Sequence, residues 1–144
     1  MAFLAGDLLT AQRANRLQPK PYYQKSTGTL AAGSSGVDVP GCSIAFTTET
    51  DGATVQCSWT TDFDLSGATT TVGSARIFLD TATGSDTFTI YEAEVATDRS
   101  TVAQFWTFTV PTAGAHTIKM QGTTPANMTI NQYTIIQILV FEVV

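Results

Sequence analysis

The sequence predicts an all-β fold, a jelly roll or β-sandwich of about eight antiparallel strands behind a short N-terminal helical arm. Three observations predict it. Threonine, which is β-branched and favours strands, fills 26 of the 144 positions. From Val37 onward, apolar and polar residues alternate with a period of two. Clusters of Gly, Asp, Ser and Pro separate the strand-like runs, with no helix-length stretch between them. Apolar residues make up 43% and charged ones 13%, which is too apolar for a disordered chain and enough for the core of one domain.

The chain divides into an arm, residues 1–25, and a body, residues 26–144. In the arm, the stretch from Thr10 to Gln18 reads as a short helix. Asp7 or Thr10 caps its start, and Pro19 and Pro21 end it. Two turns of helix are marginal alone, so the arm needs a surface to dock on, either its own domain or another protein. Phe3, Leu4, Leu8, Leu9, Ala14 and Leu17 offer the apolar contact, and Arg13 and Arg16 add charge. The arm carries a net +3 and the body a net −8, within a total of −5. A basic arm on an acidic body suits contact with an acidic protein surface. The apolar stretch after Met1 is broken by Gly6-Asp7 and lacks a preceding basic region, so it does not read as a secretion signal. Folding in a cytoplasm is expected.

In the body, Cys42, Ile44 and Phe46 alternate with Ser43, Ala45 and Thr47. Asp51-Gly52 then signals a turn, and Val55, Cys57 and Trp59 follow. The pattern predicts a hairpin with an apolar inner face. Its register sets Phe46, not Cys42, opposite Cys57, so two free buried thiols are expected rather than a disulfide. Further strands are predicted near residues 70–79, 87–94, 101–110, 115–121 and 128–141. Trp106, Phe108 and Val110, with Ile118 and Met120 after the turn, form inward rows opposite Thr107 and Thr109.

The last run, Ile135-Ile-Gln-Ile-Leu-Val-Phe141, is apolar on both faces. One face meets the sandwich core. Ile136, Ile138 and Val140, taken as the other set, need a second cover, since burial of each is worth about 1.5–3 kcal/mol. Loops of the same chain could supply it. A two-layer sandwich leaves its strands one wet face, which favours a sister chain and makes these three residues the expected oligomer interface.

Composition also excludes function classes. An acidic chain does not match a phosphate backbone, so nucleic acid is not an expected partner. The apolar runs are far short of a membrane span. The chain has one histidine, His116, and no nucleophile motif can be placed around it. Asp62, Asp64 and Ser66 have calcium-loop spacing, but Gly73 stands where the closing Glu belongs. Glu92 and Glu94 share a strand face, as a solvated pair does. Asn127-Met-Thr129 matches a glycosylation acceptor without a secretory context. No catalytic residue, cofactor or metal is expected.

The opening Phe3-Leu-Ala-Gly-Asp-Leu-Leu-Thr-Ala-Gln-Arg-Ala-Asn-Arg-Leu-Gln-Pro19 resembles the start of small virion proteins of phages infecting actinobacteria. Those have a similar Gly-Asp-x-Leu-Thr-Ala segment, a short helix, a Pro and then a Thr-rich β domain. Ala113-Gly-Ala-His-Thr-Ile-Lys-Met-Gln121, with its closing apolar strand, is similar to the end of that domain type and to the jelly rolls of the tumour-necrosis-factor and C1q class. The resemblance implies a homotrimer with a buried C-terminal strand, made in a host cytoplasm and carried on the phage particle. It implies a capsid decoration protein whose arm (Phe3, Leu4, Leu8, Leu9, Arg13, Arg16, Leu17) binds the major capsid protein or another virion protein. The alternative is a minor tail protein, fibre or spike tip that binds a host-surface glycan.

Overall fold

The computed structural model describes residues 11–67, 70–80, 83–95 and 97–143. Helix α1 (Ala11–Arg16) is followed by ten strands: β1 (Lys20–Lys25), β2 (Val37–Thr48), β3 (Ala53–Leu65), β4 (Thr71–Leu79), β5 (Thr83–Gly84), β6 (Thr89–Ala93), β7 (Arg99–Val110), β8 (Gly114–Thr123), β9 (Met128–Ile130) and β10 (Ile135–Phe141). They form two five-stranded antiparallel sheets. The first has the order β1-β10-β3-β7, with β9 also on β3, and the second β2-β8-β4-β5, with β6 also on β4. The architecture is the expected jelly-roll-like β-sandwich.

Alternation places one parity of each strand inside. Val55, Cys57, Trp59, Phe108, Val110, Ile136, Ile138 and Val140 from the first sheet meet Ile44, Phe46, Ala75, Ile77, Leu79, Ile118 and Met120 from the second. Trp106, expected in the same inward row, is half-buried against this core. Across the interior, the Thr61 and Thr89 hydroxyls hydrogen-bond at 2.7 Å, so these buried polar groups are mutually satisfied.

Three expectations are corrected. First, Ile136, Ile138 and Val140 do not form an oligomer interface. They are 0%, 1% and 0% exposed within their own chain, as the inward parity of β10. Gln137 belongs to the opposite set with Ile135, Leu139 and Phe141, and its amide stays at the surface. Second, β2 and β3 are not a hairpin. β2 pairs β8, whereas β3 pairs β10 and β7, so the Asp51-Gly52 turn is a corner between sheets. A turn residue reverses the chain, but it does not choose the hydrogen-bonded partner. Third, the boundary at residue 25 falls inside the sandwich. β1 pairs β10 from Lys20↔Val140 to Lys25↔Ile135, so the body begins at Lys20.

The run 128–141 is interrupted after Ile130, and its two pieces pair successive parts of β3. In β2 the register shifts between Asp38 and Ser43. Gly41 sits there at φ 75°, and a Cβ on it would lie 2.6 Å from the Thr27 side chain. The bulge therefore requires glycine.

Candidate functional site

The outward parity of the first sheet defines the candidate site. One row runs Tyr23–Gln137–Ser58–Phe105 and the next Pro21–Leu139–Gln56–Thr107. Neither contains a charged residue. Tyr23 (55% exposed), Phe105 (52%) and Leu139 (39%) leave large apolar side chains in solvent. Together with Pro21 they bound a recess of about 490 Å³, whose lining includes Gln56, Ser58 and Gln137. The surface suits a protein contact, with aromatic anchors, neutral hydrogen-bonding groups between them and no charge to desolvate.

Charge is confined to one end of this face. Asp62 on β3 is buried and receives two hydrogen bonds from Arg99, at 3.0 and 2.7 Å. Arg99 lies 5.1 Å from the Tyr133 ring, and Lys25 lies 4.8 Å from it. Asp64 accepts from the Asn131 amide at 3.0 Å. The carboxylates with calcium-like spacing therefore stand on a strand and serve Arg99 and Asn131.

The arm meets the body at the other end of the sandwich. Arg16 and Lys20 both reach Glu49, at 3.1 and 2.8 Å. The hydrogen bond from Lys20 leads in pulling the Glu49 carboxyl below its usual range, and Arg16 adds to it. Beside this pair, Glu142 is buried. Its carboxylate accepts from the backbone N–H of Glu49 and of Thr50 and from the Thr50 hydroxyl at 2.8 Å. Arg16 thus ties α1 to its own domain, while Leu17 is 50% exposed. Arg13 is exposed, and Phe3, Leu4, Leu8 and Leu9 lie outside the described residues.

The remaining candidates have structural surroundings. Cys42 and Cys57 are free and buried. Burial pushes their thiols up to about 11 and about 12, which keeps them protonated and unreactive. His116 faces Asp80 through Nδ1 at 3.0 Å and the Thr112 carbonyl through Nε2 at 2.9 Å. Both partners accept, so both ring nitrogens donate only as imidazolium. Desolvation opposes that charge, but the hydrogen bonds to Asp80 and Thr112 outweigh it and raise the His116 pKa. Glu92 and Glu94 are exposed.

Sequence reasoning missed Tyr23, Phe105 and Leu139. Two signals could have found them. The alternation that sends Trp106 and Phe108 inward sends Phe105 out, and Gln137 marks Leu139 as its outward companion.

Comparison with known proteins bears on the fold. The structure is similar to Eiger TNF from S. frugiperda, with a TM-score of 0.55 at 9% identity, over 85% of this chain and 92% of that one. It is also similar to part of dimeric latent PorU from Porphyromonas gingivalis, with a TM-score of 0.50 at 6% identity. That match covers 85% of this chain and 12% of the other. No protein-family model matches the chain, and no curated protein matches it. The molecule is a jelly-roll sandwich with a TNF-like neighbour.

Proposed function

We propose that the protein is a non-enzymatic bacteriophage structural protein, a homotrimeric capsid decoration protein held to the particle by its N-terminal arm. The observation that carries the self-association is the uncharged outer face of the first sheet, with Tyr23, Phe105 and Leu139 exposed around one recess. Covering each of these side chains is worth about 1.5–3 kcal/mol. A second copy of the chain is their occupant, and threefold closure follows the resemblance to the tumour-necrosis-factor and C1q class. The virion assignment rests on the resemblance of the opening segment. A trimer presents three arms to the shell, and their weak contacts multiply through effective concentration.

Sedimentation velocity at micromolar concentration tests the assembly. A species of three times the 15.3 kDa chain mass is expected, and a stable monomer overturns it. Removing residues 1–18, which spares β1, is expected to leave a trimer that no longer joins particles. If the truncated protein still joins them, attachment lies elsewhere.

A tail fibre or spike tip that binds a host-surface glycan is the second reading. It is supported by the aromatic pair around Arg76, Phe78 on the outer face of the second sheet and Phe88 in the connection between β5 and β6. Copy number per particle separates the two readings: hundreds mean capsid, and a handful mean tail.

A further inference from the structure

The outer face of the second sheet holds a guanidinium that, among the described residues, has no anionic partner. Arg76 on β4 has its guanidinium carbon 4.5 Å from the centre of the Phe78 ring and 5.1 Å from that of Phe88. Gly84 on β5 completes the seat. A Cβ there would come within 3.1 Å of Arg76 Cζ and Nη1 and 3.0 Å of Phe78 Cε1, so a larger residue would push these groups aside by a few tenths of an ångström. Cation–π contact fixes the plane of the guanidinium but uses none of its five N–H donors. Among the described residues, no carboxylate pairs with Arg76 and no hydrogen bond engages it.

The carboxylate in its row is taken. Cross-strand register sets Asp38, Gln121 and Arg76 side by side. Asp38 accepts from Lys119 at 3.1 Å and from the Gln121 amide at 2.7 Å, on the far side of Gln121 from Arg76. The Gln121 side-chain oxygen (Oε1) and the Ser74 hydroxyl make no hydrogen bond to another described residue. Together with Thr123, Phe78, Phe88 and the cation, they line a recess of about 210 Å³.

We propose that this recess binds a carboxylated sugar residue of a surface polysaccharide, with Arg76 as a two-pronged donor to the sugar carboxylate. The guanidinium edge matches a carboxylate geometrically. The partly exposed Phe88 ring offers a face to the sugar C–H groups. Ser74, Thr123 and Gln121 offer partners for hydroxyls. A phosphate group calls for several cations or a nest of backbone N–H groups, and one cation lines this recess. An acidic peptide calls for an extended track, and the recess is short. The proposal rests on the glycan reading and adds the class of sugar. The recess opens on the outer face of the second sheet and the proposed trimer face on the first, although the Phe88 backbone is hydrogen-bonded to β7 beside Phe105.

Calorimetric titration of the full chain with a short oligomer of glucuronate tests it, beside a neutral glucose oligomer of equal length, inorganic phosphate and an oligoglutamate peptide. Glucuronate is expected to bind, and the other three at least about tenfold more weakly. Arg76→Gln should lose about tenfold or more, and Arg76→Lys should recover only part of it, because an ammonium lacks the fork. Phe88→Ser should weaken binding with wild-type sedimentation and Tm retained. Equal binding of both sugars would sink the carboxylate assignment and leave the glycan reading standing. Binding of neither sugar would sink both. Equal binding of phosphate or oligoglutamate, or glucuronate binding unchanged in Arg76→Gln, would also overturn the proposal.

Discussion

Both outer faces of the sandwich come from the same alternation, yet they differ in what they do with charge. On the first sheet, the rows through Gln137 and Leu139 are neutral from edge to edge and expose Tyr23, Phe105 and Leu139. On the second, the row through Gln121 carries Asp38 and Arg76, and Lys119 stands in the next row. Removing the first face from water costs little polar desolvation and recovers apolar burial. Removing the second would strand ions. The first therefore suits a permanent contact between copies, and the second an open surface that meets a small polar ligand. The inner faces are alike and hold the sheets together, so the outward parity separates the roles.

The largest test sets neighbours on β10 against each other. Ile138→Asp places a carboxylate without a partner in the core and is expected to unfold the chain, with a loss above about 4 kcal/mol in chemical denaturation. Leu139→Asp, one residue along, is expected to keep the fold and yield a monomer in sedimentation velocity. A folded Ile138→Asp protein, or an intact trimer with Leu139→Asp, would break the contrast. Phe105→Asp should also dissociate the assembly while leaving far-ultraviolet circular dichroism unchanged.

A smaller effect is expected where the arm meets the body. Glu142→Gln replaces a buried carboxylate that accepts from two backbone N–H groups and the Thr50 hydroxyl. The amide keeps one acceptor oxygen, so a loss of about 1.5–3 kcal/mol is expected in urea unfolding. An unchanged midpoint would show that this corner is not held through Glu142.

The smallest effect concerns pH. The pKa of His116 is raised above 6.5 in the folded chain. Its contribution to stability is complete below the unfolded value of about 6.5 and is lost as pH rises through the higher folded value. His116→Gln should flatten this part of the stability profile, measured as Tm against pH. An identical profile in the variant would assign the dependence to another group.

Much of the fold was legible. The strands near 70–79, 87–94, 101–110 and 115–121 stand within a few residues of their expected places, because Thr-rich alternation and Gly or Pro breaks are local features. The site was less legible. Tyr23 lay in a segment that read as arm, since Pro19 and Pro21 end a helix without announcing an edge strand. Leu139 reads as a core residue because a nearly all-apolar strand gives weak parity, with Gln137 its one polar marker. Arg76 gave no local sign at all. Phe78 stands two residues along the same strand, but Phe88 comes from the connection between β5 and β6, Gly84 from β5 and Gln121 from β8.

The sequence alone determines that this protein is all-β, with an apolar face on its main strands, because alternation and turn chemistry act over a few residues. Tertiary structure decided which strands share a sheet, that Asp51-Gly52 turns a corner rather than closing a hairpin, and which side of β10 meets water. Those outcomes depend on contacts between residues far apart in the chain, such as Lys20 of β1 with Val140 of β10. No local pattern encodes them, because a period of two marks two faces as different without saying which one lies inside.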